Sequence, residues 1–196
     1  MLAATNQFRL RWIRASLTRD PRVLDGIITQ TLSHTPSFFS STTIIILGGL
    51  IALLGTTDKA AEFVKEIPFS QSTPMLVFEF KILILVAIFV YAFFRFSWSM
   101  RQYTFVALMI GALPEPSFFF DQPDQREHYA QRVAAMTGLA AETFNDGLRA
   151  YYFSFATMGW FFSPQFFVFT TLLIVAILYK REFHSDVLNV FDDGRG

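Results

Sequence analysis

The chain has 196 residues, of which 53% are hydrophobic, 17% aromatic and only 16% charged, with 25 phenylalanines and no cysteine. Sixteen Lys and Arg balance sixteen Asp and Glu, which argues against a nucleic-acid binder. The charge-free runs 38–54, 82–94 and 166–179 exclude intrinsic disorder and argue against a water-soluble globule, and the lack of cysteine excludes disulfides, thiolate metal sites and cysteine nucleophiles.

These features predict an all-α, multi-span helical membrane protein, a single membrane domain over 1–196 with about four transmembrane helices and amphipathic interfacial or cytoplasmic helices. Residues 1–35 are basic, with Arg9, Arg11, Arg14 and Arg19 and no acid before Asp20. Such a start also suits a mitochondrial presequence, but the preferred reading is a segment lying on the cytoplasmic membrane surface. Leu10, Ile13 and Leu17 share its apolar face, and Trp12 suits the headgroup region. Asp20-Pro21 reads as an N-cap followed by proline at the first position of a short helix to about Leu32.

Span 1 covers 38–56. Its charge-free 17 residues reach about 26 Å, enough to cross with a turn from the flanks. Ser41, Gly48, Ala52 and Gly55 fall on one helical face, where small side chains let another helix approach closely in lipid. The hydroxyls of 40–43, Ser40 and Thr43 among them, could line a polar path, but packing and bonds back to helix carbonyls are preferred. Residues 56–74 form a polar connection, with Asp58, Lys59, Glu62, Lys65 and Glu66 on a short amphipathic helix. Span 2 covers 76–100 and extends to about 112. Glu79 and Lys81 sit near one interface, where the lysine stem can snorkel, and an aromatic belt runs over 91–98. The excess length either projects into the cytoplasm, which is preferred, or lies in the interface. Pro114 and Pro116 end it.

A cytoplasmic loop and amphipathic helix follow over 114–146, with Tyr129, Val133, Met136, Ala140 and Phe144 at helical spacing. Span 3 (147–162) and span 4 (165–182) form a tight hairpin about Ser163-Pro164-Gln165, and 183–196 is a tail. Basic residues crowd the N-terminal segment, the stretch 95–149 and the tail, and are absent from that hairpin turn. The positive-inside rule therefore puts both termini and the middle segment in the cytoplasm.

Tyr91, Arg95, Trp98 and Gln102 recur at helical spacing as a polar stripe on a greasy helix. A charge at such depth is costly and usually has a partner or a job. Arg95 is either an anion-attracting or gating residue or, the preferred reading, an interfacial arginine reaching headgroups beside Trp98. Glu142, Asp146 and Arg149 lie at i, i+4 and i+7 just before span 3, and pairing of Arg95 or Arg101 with Asp146 or Glu142 is expected as a helix-end clamp. His34, His128 and His184 are scattered, and no phosphate-binding glycine loop or nucleophile elbow is present. No catalytic, metal or cofactor site is read.

Arg11-Trp12 with Arg14, the run 38–50, Glu79-Phe80-Lys81, the run 89–99, Arg101-Gln102, Phe144-Asn145, the run 147–153 and Tyr179-Lys180-Arg181-Glu182-Phe183 resemble a family of bacterial integral membrane proteins with plant relatives, a domain of unknown function. The resemblance covers nearly the whole chain. It implies the bacterial cytoplasmic (inner) membrane and carries no activity to transfer. Relatives often begin with a further apolar helix before the Arg-Trp pair, so a short or trimmed start is expected here. The expected function is a non-enzymatic membrane module, contacting lipids, that self-associates or serves as an accessory subunit of a larger membrane complex. The alternatives are a homo-oligomeric ion or small-solute channel lined by Ser40 to Thr43 and Arg95, and thirdly a membrane-embedded enzyme acting on lipid or quinone.

Overall fold

A computed structural model describes residues 2–58, 62–63 and 74–183. Among the described residues every regular element is a helix: α1 Leu2–Ser16, α2 Val23–Leu54, α3 Met75–Gly111, α4 Pro116–Asp121, α5 Pro123–Gly159 and α6 Pro164–Phe183. Two of them, α2 and α3, are long and apolar enough to cross a membrane. Lys59, Lys65 and Glu66 of the expected connection helix, and the tail from 184 onward, lie outside the described residues.

The chain divides into two compact units. The first takes its described residues from Met1–Phe38 and Phe96–Asn145, the second from Phe39–Arg95 and Asp146–Phe183. Helices α2, α3 and α5 each contribute residues to both.

Unit 1 has a core of ordinary aliphatic packing. Ile13 and Leu17 from α1 and the turn after it meet Val106 and Ile110 of α3, Phe119 of α4, and Ala130, Val133 and Ala134 of α5. The apolar face of the basic segment is thus buried against protein, not laid on a lipid surface as the sequence suggested. Each such side chain contributes about 1.5–3 kcal/mol on burial. Trp12 is likewise turned inward, its indole Nε1 donating to Asp25 Oδ1 at 2.8 Å.

Two boundaries expected between elements, after about Leu32 and at 146–147, differ in the structure. Asp20 and Pro21 precede α2 without capping it, and the helix runs unbroken through Pro36 to Leu54. An interior proline costs a helix about 3 kcal/mol; here the Pro36 ring is fully buried, and that packing offsets the lost backbone bond. The expected boundary between the amphipathic helix and span 3 is also absent. No proline interrupts 124–159, and α5 is one helix of 37 residues. Conversely, the loop after Pro114 contains the short helix α4, with Pro116 in its first turn and Phe119 delivered to the core.

In unit 2, Phe78, Ile82, Leu85, Phe89 and Ala92 form the buried face of α3. Phe78 meets Phe161 edge-on at 5.3 Å, and Phe89 and Phe39 both meet the Tyr151 ring edge-on, at 5.2 and 5.7 Å. Helix α6 begins where the sequence places it. The Ser163 hydroxyl accepts from the Phe166 N–H at 3.1 Å and Pro164 follows at the first position, the cap chemistry a helix start requires. No residue of α6 is buried.

Candidate functional site

Four charged side chains of unit 2 gather where α3 ends its contribution and α5 begins its own. The Arg95 guanidinium bonds to Asp146 Oδ2. Asp146 Oδ1 accepts from Arg149 NH1 at 3.2 Å, and Arg149 NH2 reaches Glu182 of α6 at 3.1 Å. Four side chains from three helices therefore form an alternating chain, Arg95–Asp146–Arg149–Glu182. Opposite charges in a partly desolvated setting interact far more strongly than in bulk water, and each carboxylate holds a guanidinium in place. The chain is not saturated. An ionised carboxylate offers about four acceptor positions and a guanidinium five donors, and Arg95 Nε is buried without a partner.

Beside this chain lies an open groove of about 540 Å³. Ile84, Ala87 and Ile88 of α3 form one wall, and Ala150 and Phe153 of α5 the other. Tyr91, Asp146 and Arg149 close one end. Because α3 and α5 contribute 84–91 and 146–153, the groove follows about 10 Å of helix. Its walls are apolar and its polar groups converge at one end, the arrangement common in small-molecule sites.

The other residues singled out from sequence have different surroundings. Ser41, Gly48, Ala52 and Gly55 are all exposed, and a Cβ added at Gly48 meets nothing within 4 Å. Ser40 and Thr43 are buried, and the Thr43 hydroxyl bonds both to the Phe39 carbonyl at 2.6 Å and to the Tyr151 hydroxyl at 2.7 Å. Trp98 is half exposed and Gln102 is buried. In unit 1 the Arg101 guanidinium lies over the Phe105 ring, 5.6 Å from its centroid, and Glu142 is exposed. Of the expected charge pairs, the structure brings together Arg95 and Asp146.

Residues 1–187 match a family described as a protein of unknown function, DUF599. The chain belongs to that family. No curated protein and no solved structure matches it.

The partners of three polar residues of this DUF599 protein emerge only in the structure. The Lys81 stem ends on a backbone carbonyl. It is buried, its Nζ donates to the Trp160 carbonyl at 2.8 Å, and it lies over the Trp160 and Phe161 rings. A cation there satisfies a carbonyl left open where α5 ends. Asp25 is fully buried in unit 1, taking both the Trp12 indole and Arg19 NH1, at 2.7 Å, on one oxygen; its place in the first turn of α2 was the available signal. Tyr151 carries no signal beyond its place in an aromatic run, since its partners Thr43 and Phe89 are remote in sequence.

Proposed function

We propose that this DUF599 protein is a non-enzymatic helical module of the bacterial cytoplasmic membrane. In this reading four helical segments span it, from α2, α3, α5 and α6, with both termini cytoplasmic. The module associates with itself, or with a companion membrane subunit, through the small-residue face of α2. The observation carrying the proposal is the exposure of Ser41, Gly48, Ala52 and Gly55 together, with open space at Gly48. In lipid, where apolar burial drives nothing, close backbone approach over small residues is what holds helices together. Helix α6, which has no buried residue and is rich in Phe, Leu, Ile and Val, supports contact with lipid tails on the same grounds. A channel lined by Ser40 to Thr43 and Arg95 has less support, because the Thr43 hydroxyl is engaged with Tyr151 and Arg95 with Asp146.

The absence of cysteine makes the test direct. Ala52→Cys is expected to form a disulfide-linked dimer on oxidation in native membranes, whereas Leu173→Cys on α6 is not. Gly48→Leu should reduce the oligomer seen by native mass spectrometry from mild detergent. A single monomeric species with no companion, together with an uncrosslinked Ala52→Cys protein, overturns the proposal.

A further inference from the structure

We propose that the groove between α3 and α5 in unit 2 binds a phospholipid with an ethanolamine headgroup, its acyl chain along the apolar walls and its headgroup on Asp146, Arg149 and Tyr91. The inference rests on the membrane reading above but not on self-association. The groove's volume of about 540 Å³ lies within the usual range for small-molecule sites, about 300–1,000 Å³. It is open to the protein surface, as entry of a tail from the bilayer requires, and the side chains of Ile84, Ala87, Ile88 and Phe153 offer that tail only carbon.

The headgroup follows from charge. Arg95 and Arg149 are matched by Asp146 and Glu182, so the chain at the mouth carries no net charge. An anionic headgroup gains no net attraction there, and its phosphate is opposed by the carboxylates. A wholly apolar occupant would bury these charges without replacing their water, at a cost. A headgroup carrying a phosphate and an ammonium matches both signs. The phosphate can take the remaining guanidinium donors of Arg149, which is 43% exposed on its side chain, and the hydroxyl of Tyr91, which is 52% exposed. The ammonium can donate to the acceptor positions left on Asp146. A choline headgroup has the same charges but no N–H, so it cannot make that bond.

The test uses the full chain in mild detergent. Dioleoyl-phosphatidylethanolamine, dioleoyl-phosphatidylcholine and dioleoyl-phosphatidylglycerol are added in equal amounts, and retained lipid is read by native mass spectrometry. Ethanolamine lipid should be retained about tenfold over either competitor, the discrimination one charge-assisted hydrogen bond supports. Ala87→Trp, which fills the groove and leaves the charges in place, should abolish retention in a protein that keeps its helical circular dichroism. Arg149→Gln should weaken it. Equal retention of the three lipids, preference for phosphatidylglycerol, or undiminished ethanolamine lipid on folded Ala87→Trp overturns the assignment. If Ala87→Trp does not fold, the headgroup comparison on the unaltered chain decides alone. A chain that stays monodisperse without detergent overturns the membrane reading itself, an outcome distinct from a detergent-dependent chain without headgroup preference.

Discussion

At the scale of single residues, charges in this protein are used mostly to hold helices at fixed register. Arg22 donates to the Ser16, Leu113 and Pro114 carbonyls at 3.2, 3.0 and 2.5 Å, serving backbone acceptors that helix ends leave open. Arg95 and Asp146 do the same work side chain to side chain. In a double-mutant cycle of Arg95→Met and Asp146→Leu, a coupling of about 1–3 kcal/mol is expected in detergent unfolding, the scale of a charged hydrogen bond only partly screened; additive single mutants would show the contact to be idle. On the surface of unit 1, Arg14 NH2 lies 2.6 Å from Glu127 Oε1. The hydrogen bond from Arg14, helped by Gln131, lowers the Glu127 carboxyl below the ordinary glutamate range. A lowered carboxylate stabilises the fold above its unfolded pKa, and that contribution is lost as pH falls through the folded value. In an NMR titration the Glu127 midpoint should therefore move upward in Arg14→Gln. Lys81, by contrast, could not be placed from sequence, because whether a lysine stem snorkels outward or turns onto a helix end depends on which carbonyl lies within reach.

Element boundaries depend on what the flanking residues pack against. Proline ended α3 as its chemistry requires, and Pro116 then stands at the first position of α4, where a proline is tolerated. At Pro36 the same residue type failed to break α2, because the buried ring gains packing that a local rule does not count. Glycines make the contrast testable. At Gly26 in α2 nothing lies within 4 Å of an added Cβ, whereas at Gly159 the Thr170 hydroxyl lies 2.5 Å away and the Phe166 ring 3.2 Å. Gly26→Ala should raise stability by about 0.5–1 kcal/mol, the helix-propensity difference alone. Gly159→Val should lower it by about 1–3 kcal/mol through overpacking where α5 meets α6. Thermal melts in detergent check both signs, and a stabilised Gly159→Val would mean that this contact is loose.

For the whole molecule, two kinds of interior occur in one chain. Unit 1 buries Ile13, Leu17, Val106 and Val133 completely, as a domain in water does. No residue of helix α6 in unit 2 is fully buried and α2 exposes Ile44, Ile45 and Ile51, which suits a solvent as apolar as the side chains. Cysteine scanning tests the proposed topology. Thr56→Cys and Gln165→Cys should react with a membrane-impermeant maleimide on intact spheroplasts, and Glu115→Cys only after permeabilisation. Labelling of Glu115→Cys from outside would overturn the orientation.

The sequence by itself determined the helical class, the apolar character of α2, α3 and α6, the proline stop after α3 and the tight turn into α6. Each is local, set by composition, by a 3.6-residue period or by one residue's backbone chemistry. It also narrowed the charge pairing to Arg95 or Arg101 with Asp146 or Glu142, because the topology read from basic residues puts those groups at one interface. Only the tertiary structure decided which pair forms, that Lys81 and Trp12 point inward, that α2 runs through Pro36, and that a groove opens beside Asp146. Those outcomes depend on contacts between residues far apart in the chain, where packing energies of a few kcal/mol exceed the local preferences that sequence patterns report.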